Sequence, residues 1–247
     1  MDRLIYIAMT GAKQLFERQA VEANNLANVA TPGYRAVVSA MRALPVIGPG
    51  AATRVYVAAT TVAADLRPGP IMQTGRDLDV AVAGEGWIAV QGRDAREAYT
   101  RAGDLQLSSS GLLQTRTGLN VLGDGGPITV PPNNRAAIGA DGTVSAIPTN
   151  TIPNAVNIVG RIKLVNPRPT DLERGDDGLF RLKRGRVSPP DGRVQLALGA
   201  LEGSNVSMVE SLVDMIGLAR QYETQVKLMQ TAENNGRQWS QVMNLSA

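Results

Sequence analysis

Apolar residues follow a helical period at the N-terminal end of the chain, within residues 2–30. Side chains that step by three and four positions form one stripe there: Ile5, Ala8, Ala12, Leu15, Gln19, Glu22, Leu26 and Val29. This spacing is that of a heptad seam, so it predicts an amphipathic helix. Its two polar members, Gln19 and Glu22, lower the stability of such a seam but can fix its register.

A second helical stripe lies near the C-terminal end and predicts a helix over residues 206–243. Its members alternate steps of four and three without a break: Met208, Leu212, Met215, Ala219, Tyr222, Val226 and Met229. Ser204 and Asn205 precede this helix as candidate N-terminal caps. The stripe is apolar throughout, which makes it the stronger of the two.

The chain between the two helices has the patterning of β-strands. In "LDVAVAGEGWIAV" (78–90), Leu78, Val80 and Val82 alternate onto one face before a Gly-Glu-Gly turn and another strand. The stretch 104–115 predicts a hairpin, and Asp-Gly pairs separate further short strands. No helices alternate with these strands, so an antiparallel β domain over 75–200 is favoured over an α/β fold.

The predicted fold class is therefore mainly β with terminal α-helices: an antiparallel β domain flanked by helices able to form coiled coils. Four segments follow: an N-terminal heptad helix (1–30), a connecting arm (31–74), the β domain (75–200) and a C-terminal heptad helix (201–247). The arm is expected to be irregular. A lone amphipathic helix is marginal in water, so these helices must pack on each other, on the β domain or on neighbouring subunits.

The end of the first helix is rich in amides and is followed by a turn signal. Asn24, Asn25 and Asn28 precede Thr31-Pro32-Gly33, which stops the helix. From the pattern alone, the asparagines read as an ordinary C-terminal capping region.

Composition excludes several kinds of chemistry. The chain has 247 residues with no cysteine and no histidine, so disulfides, thiolate chemistry, histidine acid–base catalysis and the usual zinc sites are absent. We predict no catalytic residue, metal site or cofactor. Asp77 and Asp79 could share one strand face, but without further catalytic groups they read as a surface pair.

The charge of the chain argues against nucleic acid as a partner, and its hydropathy argues against a membrane-spanning segment. The net charge is only +3, and the basic run Arg181, Lys183, Arg184 and Arg186 lacks interleaved aromatics, so it reads as a solvated face. No segment is apolar enough to span a membrane. The apolar run 4–9 is too short for a secretory signal, so we expect any export to proceed without a cleaved signal peptide.

Four motifs resemble the flagellar rod, hook and hook-filament axial family. The first is "NNLANVATPGY" (24–34); the others are "GPIMQTGRDLDVAVAGEGWIAV" (69–90), "YTRAGDLQLSSSGLLQTRTGLNVLG" (99–123) and "ALEGSNVSMVESLVDMIGLARQYETQVKLMQTAENN" (200–235). They occur in the family's order and cover most of the chain. The opening "MDRLIYIAMTGAKQ" and the length most resemble the proximal rod proteins, with the distal rod proteins as the nearest alternative.

The resemblance implies a structural subunit of the flagellar basal-body rod, exported by the flagellar type III apparatus and polymerised in the periplasm into a helical, torque-transmitting tube. It implies partners among itself and other rod subunits, with terminal helices in the inner wall and the β domain outside. The implied helical interface comprises Ile5, Ala8, Ala12, Leu15, Asn24, Asn25, Leu26, Asn28, Met208, Leu212, Met215, Ala219, Tyr222, Val226 and Met229. The turn Thr31-Pro32-Gly33 would lead the chain from the wall outward.

Three hypotheses follow for function. The first is the axial rod or hook-type subunit. The second is a periplasmic glycan-binding β domain with helical anchors, which would need exposed aromatics, although only nine aromatic residues exist in total. The third is a peptidoglycan hydrolase, for which only a carboxylate mechanism would remain without histidine and cysteine.

Overall fold

A computed structural model describes residues 2–45, 55–148 and 156–245. Part of the predicted connecting arm, residues 46–54, lies outside the described residues, as do the last two residues of the predicted C-terminal segment. The structure confirms the predicted fold class, because an N-terminal helix, strands of antiparallel sheets and a C-terminal helix follow one another along the chain. The chain divides into two compact units that are built from interleaved segments.

The first unit, called here the helical unit, consists of Met1–Asn28, Ala36–Asp65 and Val206–Ala247. It contains α1 (Asp2–Ala27), α2 (Met208–Leu245) and a hairpin of β1 (Val37–Pro45) and β2 (Val55–Ala64). Helix α1 packs against α2 and against both strands. The predicted stripe of α1 fits this packing, since none of its members from Ile5 to Leu26 is exposed.

Small residues of α1 lie where this helix contacts α2. Ala8 and Ala12 are buried, and a Cβ placed on Gly11 would lie 3.4 Å from the side chain of Gln225. In water these helices would be marginal alone, so most of their stability comes from this mutual burial.

The buried side of α2 differs from the predicted stripe. Ser211, Leu218 and Ala232 are buried, whereas Met208 and Leu212 are exposed. The reason is that α2 carries apolar residues on more than one side, so periodicity alone does not identify the row that α1 covers.

The helix boundaries differ slightly from those predicted. Helix α1 ends at Ala27, before the predicted residue 30, and the amide of Asn28 donates to the carbonyls of Asn24 and Asn25 at 3.2 and 3.1 Å. Helix α2 begins at Met208, where the Ser207 hydroxyl accepts from the Glu210 amide at 3.4 Å. Ser207 thus supplies the cap expected from Ser204 or Asn205.

The prediction of an irregular segment over 31–74 is wrong for residues 37–45 and 55–64. These form the antiparallel pair β1–β2, whose register shifts between Ala40 and Met41. The two strands consist largely of alanine and valine and show no regular apolar–polar alternation, so their periodicity gives only a weak strand signal.

The second unit, called here the β unit, consists of Val29–Arg35 and Leu66–Asn205. Its strands, all paired antiparallel, are β3 (Ile71–Gln73), β4 (Val80–Ala83), β5 (Trp87–Gln91), β6 (Glu97–Thr100), β7 (Leu105–Leu107), β8 (Leu113–Thr115), β9 (Leu122–Gly123), β10 (Gly126–Pro127), β11 (Asn134–Ile138), β12 (Thr143–Pro148), β13 (Asn157–Arg161), β14 (Leu164–Val165), β15 (Leu172–Arg174), β16 (Phe180–Leu182), β17 (Gln195–Leu198) and β18 (Ala200–Glu202). The predicted hairpin at 104–115 is confirmed as β7–β8.

The sheets of the β unit enclose one cluster of aliphatic side chains. The largest sheet has the order β14-β5-β6-β16-β15, and β11-β12-β13 forms another. Fully buried members of the core include Val80, Val82, Ile88, Val90, Leu105, Leu113, Val121 and Val144. Burial of a side chain of this size contributes about 1.5–3 kcal/mol. Burial of these side chains therefore supplies a large part of the stability of the β unit.

The last strands of the β unit return to its first ones. Strand β17 pairs with β4, and β18 pairs with β3, so Glu202 lies opposite Ile71. Segment 29–35 contacts the end of β18 as well, because the Gly33 amide donates to the Glu202 carbonyl at 2.7 Å. Three stretches that are distant in sequence thus meet at Glu202.

Candidate functional site

The asparagine cluster at the end of α1 holds the hairpin of the helical unit. Asn25 is only 4% exposed, and its amide bonds the backbone of Val37 twice. Its Nδ2 donates to the Val37 carbonyl at 2.9 Å, and its Oδ1 accepts from the Val37 amide at 2.8 Å. One side chain therefore takes the place of a neighbouring strand at the start of β1.

The other two asparagines act locally. Asn24 is exposed, and Asn28 donates from Nδ2 to the Asn24 carbonyl at 2.9 Å. This bond satisfies a carbonyl at the C-terminal end of α1, the role of a capping residue.

Replacing Asn25 with alanine is expected to lower the free energy of unfolding of the helical unit by about 1–3 kcal/mol, because both Val37 groups lose their partner. Urea unfolding followed by circular dichroism would measure the change. The matched control is Asn24→Ala, which removes an exposed amide. Equal effects of the two substitutions would contradict the role assigned to Asn25.

The predicted turn Thr31-Pro32-Gly33 lies in the β unit and is closed by backbone bonds. The Tyr34 amide donates to the Thr31 carbonyl at 3.3 Å, and Gly33 has a left-handed φ of +67°. The ring of Tyr34 lies 4.9 Å from the guanidinium carbon of Arg174, a cation–π distance. The turn is thereby fixed against the β unit.

Behind this turn, three buried charged residues form a cluster that sequence reasoning missed. Arg35 donates from Nη2 to Glu202 Oε1 at 2.5 Å, and Arg101 donates from Nη1 to Glu202 Oε2 at 2.8 Å. The amide of Gly69 also donates to Oε1, at 2.9 Å. All three charged side chains are at most 5% exposed.

The cluster carries two positive charges for one negative charge, and an aromatic ring partly compensates. The guanidinium carbons of Arg35 and Arg101 lie 5.8 and 5.3 Å from the Trp87 ring centroid. Trp87 also contacts Phe180, with centroids 4.6 Å apart. Burial lowers the pKa of Arg101, which its ion pair with Glu202 opposes. Glu202 is therefore the carboxylate that both arginines share, while Arg101 also donates from Nη2 to the Gly84 carbonyl at 2.8 Å.

The sequence does contain a signal for this cluster. Glu202 is the only charged residue in "VQLALGALEGSNV" (194–206), and Arg35 precedes the apolar pair Val37-Val38. A single charge in an apolar stretch predicts a buried group with a distant partner. Its partners lie far away along the chain, so spacing could not identify them.

The helical unit exposes apolar rows that its own packing leaves uncovered. On α1, Phe16 and Met9 are 64% and 50% exposed, and exposed alanines continue the row at Ala20, Ala23 and Ala27. On α2, the exposed apolar side chains include Met208, Val209, Leu212, Val213 and Ile216. These rows remain available to other protein chains.

The predicted interface residues fall into covered and uncovered groups. Ala8, Ala12 and Asn25 are buried within the chain. Partly buried members are Ile5, Leu15, Leu26, Asn28, Met215, Ala219, Val226 and Met229, whereas Asn24, Met208, Leu212 and Tyr222 are exposed. Three of the fifteen predicted residues are thus buried within the chain, and four are exposed.

The carboxylates of the predicted surface pair have different surroundings. Asp77 is exposed and forms an ion pair with Arg135, but Asp79 is 1% exposed and accepts from the Thr74 hydroxyl at 2.7 Å. The prediction of a surface pair is therefore wrong for Asp79. In the part of the chain that the structure describes, no group of three acidic side chains could hold a metal ion.

Tyr99 connects the core of the β unit to the loop at residue 188. Its hydroxyl donates to Glu97 Oε1 at 3.0 Å and accepts from the Ser188 amide at 2.8 Å. Lys163 completes the network, since its Nζ donates to both Glu97 oxygens at 2.8 Å. Burial raises the pKa of Tyr99 to about 12, and the nearby Glu97 carboxylate adds to this effect.

We expect the β unit to lose stability as pH rises from about 10 to about 12, because the raised pKa means that the folded state favours the neutral hydroxyl. Tyr99 contributes its full stabilisation below the ordinary tyrosine pKa of 10.0, and this stabilisation is lost as the pH rises to the folded-state pKa of about 12. The difference corresponds to about 2–3 kcal/mol. Urea unfolding across this pH range measures it, and Tyr99→Phe should remove that part of the slope. An unchanged slope in Tyr99→Phe would contradict the assignment.

Comparison with known proteins places these features in a family. Three family profiles match in order: flagella basal body rod protein at 5–35, flagellar hook protein FlgE/F/G D1 domain at 81–146, and flagellar basal body rod FlgEFG protein C-terminal at 197–242. The chain is 46% identical to the flagellar basal-body rod protein FlgF of Salmonella typhimurium and 44% identical to that of Escherichia coli, over 100% of each chain. The chain belongs to the FlgF family of flagellar basal-body rod proteins. A FlgG protein of Buchnera aphidicola is 30% identical, over 96% of this chain and 98% of its own length.

Membership in the FlgF family establishes a structural subunit of the flagellar basal-body rod and confirms the predicted resemblance. Such a protein is structural rather than enzymatic and assembles with other flagellar rod and hook subunits. The profile at 5–35 ends at Arg35, and the one at 197–242 contains Glu202, so the matched segments include both residues of this ion pair. No helix among residues 2–45, 55–148 and 156–245 is long and apolar enough to cross a membrane.

Proposed function

We propose that this protein forms part of the proximal rod by packing the exposed rows of its helical unit against neighbouring subunits. The observation that supports this most is the row that begins at Met9 and Phe16, which α2 and the hairpin leave exposed. Exposed apolar rows of this length on paired helices are typical of surfaces that bind further helices.

The predicted interface contributes to this proposal through its uncovered members. Met208, Leu212 and Tyr222 extend along one side of α2 and are exposed. We propose that they and the α1 row together contact adjacent subunits. The pair α1–α2 would then act as one building block of the inner wall of the rod.

Contacts of this kind join different surfaces of successive copies, and such heterologous contacts generate an open helical assembly. In this proposal the assembly is a tube that transmits torque and lets other axial proteins pass. The protein would reach the periplasmic portion of the basal body through the flagellar type III export apparatus.

The test of the surface is Phe16→Glu, with Phe16→Leu as the matched control. Because Phe16 is 64% exposed, neither substitution should change the free energy of unfolding by more than about 0.5 kcal/mol. The glutamate should prevent incorporation into basal bodies and abolish swimming, whereas the leucine should preserve both. Normal incorporation of folded Phe16→Glu would reject this surface.

The test of the function is electron microscopy of basal bodies from a strain that lacks this chain. A base with its ring but without distal rod or hook is the expected result. Complete hooks with short or absent filaments would place the chain further out along the axis.

A further inference from the structure

Two neighbouring segments of the β unit, 166–171 and 186–193, enclose an open cleft of about 530 Å³, called here the arginine cleft. Its lining combines apolar side chains with charged ones: Asn166, Pro167, Arg168, Asp171, Leu182, Arg186, Val187, Ser188, Pro189, Pro190, Asp191 and Arg193. Val187 is 58% exposed and lies among these groups. A partner for this cleft would thus offer both apolar and charged side chains.

The positive charge of the cleft comes from Arg168 and Arg186, because its third arginine, Arg193, is paired with an acid. Arg193 is held by Asp191, with Nη2 at 2.9 Å from Oδ2, and this bond lowers the pKa of Asp191. Arg168 and Arg186 are exposed and bond no side chain in the described parts of the chain. Asp171 is the only other acid of the lining, so the cleft keeps an excess of positive charge.

The cleft is held open before any partner arrives. The Ser188 amide donates to the hydroxyl of Tyr99, which fixes one wall to the core, and two prolines follow in that wall. Prolines restrict the backbone, so this wall loses little freedom on binding.

A surface of complementary chemistry lies on the first three turns of α2. Val209, Val213 and Ile216 step by four and three along one side, and all three are more than half exposed. Glu210 and Asp214 form the adjacent row and are exposed as well. This surface is called here the α2 start strip.

The α2 start strip is too short to be the contact surface for a partner helix that runs along the whole length of α2. Beyond Ile216 the same side continues with Arg220, Glu223 and Lys227, so its apolar character ends after three turns. From 208 to 219 there are two acidic residues and no basic residue. A short apolar row beside acids fits a local cleft that carries free arginines.

We propose that the arginine cleft of one copy of this protein receives the α2 start strip of a second copy. Val187 and the prolines contact the valines of the strip, while Arg168 and Arg186 face its acids. The contact joins two different surfaces and can therefore repeat from copy to copy. This inference rests on the proposed function, because it requires copies of the chain to be neighbours.

The absence of native cysteine makes the contact testable by cross-linking. Full-length Val187→Cys is mixed with full-length Val213→Cys and treated with a short bismaleimide, with each thiol's reaction with a monofunctional maleimide as normalisation. We expect about tenfold more cross-linked dimer than in the control mixture of Val187→Cys with Lys227→Cys, the factor expected for a modest contact energy. Equal yields, or a predominance of Val213–Val213 pairs, would overturn the proposal.

A charge exchange tests the polar part of the contact. Asp214→Arg in the Val213→Cys chain should lower the cross-linking yield about tenfold, and Arg168→Glu in the Val187→Cys chain should restore it. Arg93→Glu is the matched control, since Arg93 is an exposed arginine outside the cleft. No rescue by Arg168→Glu, or equal rescue by Arg93→Glu, would overturn the pairing.

A chain that carries both cysteines separates this inference from the proposed function. It is expressed in flagellated cells, and isolated basal bodies are treated with the cross-linker. Covalent dimers and longer ladders support the contact. If the chain is present in basal bodies but forms only intramolecular links, or links to another rod subunit, the inference fails while the proposed function stands. If the chain is missing from basal bodies while the control without cysteines is absent too, the proposed function itself fails.

Discussion

Replacing Glu202 with alanine is expected to lower the free energy of unfolding of the β unit by about 3–5 kcal/mol, the cost of leaving buried charges without their partner. Arg35 and Arg101 would lose their shared acceptor, and the Gly69 amide would lose its acceptor as well. The effect is large because both arginine side chains are almost fully buried, so water is a poor replacement for the lost carboxylate.

Fluorescence of Trp87 can follow this loss, because its ring lies beside both arginines. Trp239 would first be replaced by phenylalanine, so that Trp87 is the only tryptophan. Urea unfolding then compares Glu202→Ala with Glu173→Ala, which removes an exposed glutamate. If both substitutions cost less than about 0.5 kcal/mol, the cluster does not stabilise the β unit.

Gly33→Ala is the second substitution for which we expect a large effect. An added Cβ would lie 2.3 Å from the carbonyl carbon of Arg101 and 2.4 Å from the Ala102 nitrogen, so backbone would have to move. The left-handed φ of +67° adds about 1–2 kcal/mol of strain for a side chain. We expect a total loss above about 4 kcal/mol, together with loss of swimming.

Gly75→Ala separates the two causes. Gly75 has a similar φ of +71°, but a Cβ there would meet nothing within 4 Å. Its substitution should therefore cost only the conformational strain of about 1–2 kcal/mol and leave swimming intact. Urea unfolding of both variants measures the difference, and equal costs would show that the close approach of Gly33 to Arg101 is unimportant.

The elements that could be predicted from the sequence are those whose signal is local. The heptad spacing of α1 and the alternation around Val80 and Val82 both depend on neighbouring residues, and both elements form there, although α1 ends at Ala27 and β4 begins only at Val80, which leaves Leu78 in the preceding turn. The identity of the buried residues of α2 depends on which of its apolar sides α1 covers, and periodicity alone does not determine that side.

The candidate site was harder to predict because its contacts join distant segments. Asn25 stands out in the sequence for its place at a helix end, yet its contacts are with Val37, in a hairpin whose strands lack a regular alternation. Arg35, Arg101 and Glu202 meet only through the return of β18 to β3. A contact of this kind follows from topology, which no short motif specifies.

The interleaving of the two units has a consequence for the order of folding. The β unit is almost continuous in sequence, from Leu66 to Asn205, whereas α1 and α2 are separated by about 180 residues. Local contacts form sooner than contacts across a long loop, since closing the loop costs entropy first. The β unit can thus fold while α1 still lacks α2. During that interval the inner row of α1 is open to the α2 of another molecule, so two rod subunits that mature side by side can exchange helices.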